Sequence, residues 1–191
     1  MHITRLKLKN WRNFVQVDLA IGQRLFITGP NACGKSNFLD AFRFLRDIAK
    51  TGGGLQQAIR DRGDLSRIRC LAARRYPDVE IEVSLSEVGV ANPSTWRYGI
   101  GLRQESRGQR RVLLTYEKVC HDEKTLLDRP DVNDGNDPWR LTQTHLEQIS
   151  ANLKFRPVAE ALQKTLYLHL VPQLLKHPSL ANREATGEDP F

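Results

Sequence analysis

RLFITGPNACGKSNFLDAFRFLRDIAK, residues Arg24 to Lys50, is the stretch whose reading decides the fold. Within it, Gly29-Pro30-Asn31-Ala32-Cys33-Gly34-Lys35-Ser36 fits the phosphate-binding pattern Gly-x4-Gly-Lys-Ser/Thr. The flanks fit as well. Leu25-Phe26-Ile27-Thr28 is a short apolar, β-prone run, which predicts a buried strand entering the loop. Beyond the loop, Phe38, Ala41, Phe42, Leu45 and Ile48/Ala49 recur at helical spacing, with Asp40, Arg43 and Asp47 between them. Strand, glycine loop and helix follow in the order the motif requires.

The chemistry comes from the backbone. Gly29 and Gly34 let the loop curl so that successive N–H groups converge on a polyphosphate. A helix beginning near Lys35 adds its unpaired first-turn N–H groups and the positive end of its dipole. Lys35 is the expected catalytic cation, reaching the β- and γ-phosphates, and the Ser36 hydroxyl is an expected Mg²⁺ ligand. The expected nucleotide-binding residues are Gly29, Pro30, Asn31, Ala32, Cys33, Gly34, Lys35, Ser36 and Asn37. Its place beside Lys35 and a helix N-terminus makes Cys33 the expected reactive cysteine. An inert, space-filling cysteine is the alternative.

Composition sets the outer bounds. A chain of 191 residues suffices for one full domain or a large piece of a bigger one. No apolar run approaches a membrane span and the N-terminus lacks a signal-peptide core, so no membrane partner is expected. Cys33, Cys70 and Cys120 are odd in number and far apart, which argues against a disulfide framework or a zinc site and for a reducing cytoplasm. The formal net charge of +7 and a pI near 9.6 favour an anionic partner, of which nucleotide is one and DNA another.

Two strands are expected ahead of the loop. His2-Ile3-Thr4-Arg5-Leu6-Lys7-Leu8-Lys9 alternates apolar and polar, with Arg5, Lys7 and Lys9 on one face. Asn10-Trp11-Arg12-Asn13-Phe14 is a turn, and Val15 to Leu19 alternates again. The succession LKLKNWRNF, VDL, GPNACGKSN and FLDAFRFL resembles the N-terminal lobe of ABC-type ATPase heads, closest to the RecF/SMC group and the OLD-like AAA family ATPases. That resemblance implies an α/β P-loop NTPase fold (GPNACGKS being the Walker A motif), with a mixed sheet around the P-loop helix plus an antiparallel meander. It implies ATP and Mg²⁺ as cofactors, and a homodimer or a partner ATPase subunit. It also implies that Arg12 and Asn13, in the turn after the first strand, help to seat the nucleotide. Trp11 and Phe14 suit a core role equally well.

After the helix, Thr51-Gly52-Gly53-Gly54 is a stop, and Leu55 to Ile59 predicts a short helix. Residues 60–76 form a basic surface segment with Arg60, Arg62, Arg67, Arg69, Arg74 and Arg75, the best place on the chain for nucleic-acid contact. Alternation over Asp78–Ser86, then over Trp96–Leu102, Arg110–His121 and Thr125–Asp128, predicts an antiparallel meander, taken as a unit over 87–128. Its glutamates, Glu117 among them, read as a wet face. Residues 129–138 read as a flexible polar loop. Thr142 or Thr144 is expected to cap a helix carrying Leu146, Ile149 and Leu153, and Pro157 to open another. Leu166 to Val171 reads as a central strand, with His169 in its core. The resemblance suggests that Gln173, just past it, senses Mg²⁺ and the γ-phosphate.

The acidic pair that follows a buried strand in such ATPases, and their Ser-Gly-rich signature segment, are not recognisable. Residues 1–191 are therefore expected to form a single N-terminal ATPase lobe whose second lobe is missing. Three functions remain open. The first is the ATP-binding portion of a RecF/SMC- or OLD-like ATPase of DNA repair or phage defence, hydrolysing poorly until completed. The second is a nucleotide-binding assembly module without hydrolysis, and the third a transporter-type ABC subunit, which the paired strands before the loop disfavour.

Overall fold

The computed structural model describes residues 1–73, 77–87, 89, 93–105 and 110–168. Among these residues there are six strands, β1 His2–Trp11, β2 Phe14–Ala20, β3 Val79–Ser86, β4 Thr95–Gln104, β5 Val112–His121 and β6 Lys124–Arg129. They form one sheet in the order β2-β1-β3-β4-β5-β6, antiparallel at every pairing. Because β1 pairs with β3, the N-terminal hairpin and the meander are a single surface. β5 is bulged, with register shifts opposite Gly101/Leu102 of β4 and at Val119/Cys120.

Alternation decides which face is covered. Leu6, Leu8, Val79, Ile81, Val83, Leu85, Tyr98, Ile100 and Leu102 are buried. On the other face Lys7 stands opposite Glu82 and Lys9 opposite Glu80, both closing as ion pairs. Exposed pairs of this kind contribute about 0–1 kcal/mol, so they favour the register more than they hold the fold.

The helices are α1 Lys35–Ala49, α2 Leu55–Arg60, α3 Leu65–Ile68, α4 Val132–Asn136 and α5 Arg156–Gln163. Phe38, Ala41, Phe44, Leu45, Ile48 and Ala49 form the buried stripe of α1. Phe44, absent from the expected stripe in favour of the half-buried Phe42, is fully buried with its ring centroid 5.2 Å from that of Trp11. Trp11 is itself fully buried, so its ring serves the core. Pro157 opens α5 as expected, and Val158 and Leu162 face inward.

The α/β lobe with its P-loop helix stands; the expected mixed sheet is antiparallel throughout among the described residues, and four local expectations are corrected. Leu25–Thr28 forms no strand: Phe26 is 84% exposed and Leu25 39%. Nor does Thr165–Leu168, where Leu166 is 83% and Leu168 79% exposed; residues 169–171 lie outside the described residues. A strand covered on both faces needs a neighbour on each side, and among the described residues no strand lies beside either run. Residues 129–138 are not a plain loop but carry α4, closed by a capping box between Asp131 and Asp134.

The helix expected through Leu146, Ile149 and Leu153 is absent too, and Ile149 and Leu153 are exposed. Thr144 and Glu147 do exchange the two hydrogen bonds of a capping box. However, the second carboxylate oxygen of Glu147 accepts from the Leu55 N–H, so the segment closes the start of α2 instead of starting a helix of its own.

Candidate functional site

The β1–β2 turn and the glycine loop meet at the start of α1. Gly34, the N-cap, has φ 106°, in the left-handed region where a side chain is strained, and no side chain caps the helix there. A Cβ at Gly34 would also collide with the Asn13 side-chain amide. No acidic residue occupies the first turn of α1, so its unpaired N–H groups and positive dipole end face an approaching anion without competition. Gly29 to Cys33 are exposed.

Lys35 folds back over the loop. Its Nζ donates to the carbonyl oxygens of Gly29 at 2.8 Å and Pro30 at 2.6 Å, and lies 3.8 Å from Cys33 Sγ. The ammonium group is thus held where the loop closes, with only carbonyl dipoles to give up on meeting a phosphate. Ser36 is exposed on the next position of the first turn. Its hydroxyl makes no hydrogen bond among the described residues, which leaves it available to a Mg²⁺ ion bound with the nucleotide. Among the described residues no cluster of three or more His, Cys, Asp or Glu could hold a metal unaided. Gln173 lies outside the described residues.

Of the two turn residues, Asn13 contacts the loop and Arg12 turns away from it. Asn13 Nδ2 donates to the Cys33 carbonyl at 3.2 Å, and Asn13 Oδ1 accepts from Asn37 Nδ2 at 2.9 Å. Arg12 reaches Asp40 on α1 with Nη2 at 2.8 Å and Nε at 3.2 Å. Its backbone is fixed by pairing with the chain leaving α3, where Trp11 bridges Arg69 and Cys70 N–H bonds the Asn10 carbonyl.

Asp40 opens an ion-pair chain that the sequence reading missed. It also accepts from Arg62, which bonds Asp47, which in turn accepts from Arg46. Asp40 and Asp47 lie seven positions apart, two turns along one helix face, and that spacing opposite an Arg-rich segment was the available signal. The chain lines a cleft of about 1200 Å³ between α1, α2 and α3. Six basic side chains (Arg12, Arg43, Arg46, Lys50, Arg62, Arg67) and three acidic ones (Asp40, Asp47, Asp61) line it. Arg74, Arg75 and Tyr76, the end of the expected basic segment, lie outside the described residues.

Glu117 is not on a wet face. It is fully buried, accepting from Arg129 Nη1 at 2.9 Å, Tyr98 Oη at 3.1 Å and the N–H groups of His145 and Leu146. Burial raises its pKa, against the opposing pull of the His145 N–H and Arg129. The Arg129 hydrogen bonds hold the carboxyl of Asp134 well below the usual range. All these groups are spent on one another, so the cluster anchors β5 to β6 and α4 and offers no free base.

The chain resembles known proteins in part. A family model described as "AAA domain, putative AbiEii toxin, Type IV TA system" matches residues 25–185. The chromosome partition protein Smc of Cereibacter sphaeroides is 42% identical over 65 residues, 31% of this chain and 6% of that protein. The DNA replication and repair protein RecF of Synechocystis sp. is 29% identical over 94 residues, 48% of this chain and 24% of that protein. The chain thus spans less than a quarter of the length of either relative. A solved structure described as "Structural biochemistry of ATP-driven dimerization and DNA stimulated activation of SMC ATPases" aligns over 96% of both chains, at 14% identity and a TM-score of 0.46.

Proposed function

Because the chain belongs to this AAA-domain family, whose model covers most of it, we propose that it is the ATP-binding lobe of a RecF/SMC-like ATPase that works on DNA. The observation that carries the proposal is the loop Gly29–Ser36 closing on an uncapped helix N-terminus with Lys35 folded over it. In this reading the main-chain N–H groups of Asn31 to Ser36 bind the β- and γ-phosphates, and Lys35 gives up its carbonyl partners to neutralise them. Ser36 holds Mg²⁺, which supplies charge neutralisation at the phosphates. Asn31 and Asn37 border the phosphates, Asn13 stands behind the loop, and Arg12 reaches the nucleotide by exchanging Asp40 for it. Gln173 is proposed as a further Mg²⁺ contact.

Hydrolysis is proposed to need a second lobe, on this polypeptide or on a partner. The exposed apolar side chains of Phe26, Leu166 and Leu168, on runs with strand-forming sequence and no strand partner among the described residues, support this. Completion by another copy of the chain would make the working unit a dimer. The described residues hold no helix long and apolar enough to cross a membrane.

The α1–α2–α3 cleft is the proposed DNA contact. Its lining carries six basic side chains against three acidic ones, a net positive charge that suits a phosphodiester backbone. The relatives named for DNA replication, repair and chromosome partition make DNA repair the preferred role, with phage defence the alternative. Calorimetry with MgATP tests the core of this proposal. One-site binding by the wild-type chain, weakened roughly ten- to a hundredfold in Lys35→Ala, supports it; equal affinity in both proteins refutes it.

A further inference from the structure

A short series of hydrogen bonds ties the hydrophobic core to the phosphate loop. Trp11, fully buried against Phe44, donates its indole N–H to the Asn37 carbonyl at 2.7 Å. Asn37 donates its side-chain amide to Asn13 Oδ1, and Asn13 donates its own amide to the Cys33 carbonyl. We propose that Asn37 and Asn13 act as positioning residues that set the aim of the loop, with Trp11 as their anchor. This rests on the nucleotide-binding reading of the loop and assigns what controls its affinity.

The reason lies in one peptide plane. The Cys33 carbonyl and the Gly34 N–H belong to the same planar, trans unit and point in opposite directions. A donor that pins the carbonyl on the turn side therefore aims the Gly34 N–H away from the turn, into the concave side of the loop. Gly34 tolerates this because it has no side chain to strike Asn13. The orientation of Asn13 is itself over-determined. Turning its amide over would set Oδ1 against the Cys33 carbonyl and Nδ2 against the Asn37 amide, losing both bonds and replacing them with like dipoles. Asn37 thereby acts on the loop through Asn13, and the brace preorganises an anion site that would otherwise have to be ordered on binding.

The test combines MgATP calorimetry with the rate at which a maleimide labels Cys33 in the nucleotide-free protein. Wild type, Asn13→Ala, Asn37→Ala and the double variant are compared, with melting temperature measured for each. Loss of the brace should weaken MgATP on the order of tenfold in Asn13→Ala and somewhat less in Asn37→Ala. Labelling of Cys33 should quicken in both. The double variant should be no weaker than Asn13→Ala, because the two residues act in series. The proposal is overturned if Asn37→Ala binds and labels as wild type does, or if the two single effects multiply in the double variant. Trp11→Phe, which keeps an aromatic ring in the core but has no N–H, should reproduce the Asn37→Ala labelling rate. Should the wild type bind no MgATP, the nucleotide reading fails, while the labelling rates still judge the brace.

Discussion

The Lys35 ammonium lies 2.6 Å from the Pro30 carbonyl oxygen, bridging the first turn of α1 back to the mouth of the loop. Its partners are carbonyl dipoles, not carboxylates, so a phosphate can replace them without breaking an ion pair. Lys35→Ala should therefore lose a charge-assisted contact worth about 1.5–3 kcal/mol, roughly ten- to a hundredfold in the MgATP dissociation constant. Its melting temperature should stay close to that of wild type, because the side chain buries no apolar surface in the core.

Cys33 is exposed within the loop, whereas Cys70 and Cys120 are buried. A maleimide should modify Cys33 first in the native protein and abolish nucleotide binding, and MgATP should slow the modification. Peptide mapping of the labelled protein checks this. Label found first at Cys70 or Cys120, or no protection by MgATP, would count against a nucleotide seated on the loop.

The buried cluster predicts acid sensitivity with a definite sign. Asp134 carries a lowered pKa, its ordinary value being 3.8, chiefly through Arg129. A lowered value means that its stabilising contribution is complete above the unfolded pKa and is lost as pH falls from about 4 towards the folded value. Glu117, raised by burial, acts with the opposite sign, its charge costing stability once pH exceeds the unfolded value. Denaturant unfolding at pH 7 and pH 3 should show Asp134→Asn less stable than wild type at pH 7, with the gap narrowing at pH 3. Arg129→Ala, which strands two buried carboxylates, should cost about 3–5 kcal/mol at neutral pH.

Lys50 and Arg67 line the basic cleft and form no ion pair among the described residues. Reversing both charges, in Lys50→Glu/Arg67→Glu, should weaken binding of a labelled DNA duplex. It should also flatten the salt dependence, by about 0.9 in the log–log slope for each DNA phosphate that the cleft no longer neutralises. Anisotropy measured across a salt series reads this directly. The same reversals at Lys7 and Lys9, on the opposite sheet face, should have little effect. Equal weakening by both pairs of reversals would reduce the cleft to general basicity.

Much of this is legible from residue patterns, and the failures share a cause. Glycines, Lys35 and the α1 stripe are local signals, and so are the alternating strands from Val79 to Arg129; local signals read well. Leu25–Thr28 and the described part of the second run, Leu166–Leu168, read as central strands from apolar content, but a strand of that kind exists only beside a neighbour, which no local pattern supplies. Glu117 falls on the exposed phase of an alternating run, yet Arg129, twelve residues on, meets it inside the protein. Likewise Glu147 is committed to α2 by a contact 92 residues away in sequence. At the site, the loop can be read from its motif, while the Asp40–Arg62–Asp47 chain and the Asn13–Asn37 bond require the turn and α3 to be placed around α1.

A crystal structure of the chain with Mg²⁺ and a non-hydrolysable ATP analogue tests the central claim most directly. The account predicts the β-phosphate within hydrogen-bonding distance of the main-chain N–H groups of the Gly29–Ser36 loop, with Lys35 Nζ moved from the Gly29 and Pro30 carbonyls onto phosphate oxygens and Mg²⁺ on the Ser36 hydroxyl. A nucleotide bound elsewhere, with Lys35 still folded onto those carbonyls, would contradict it.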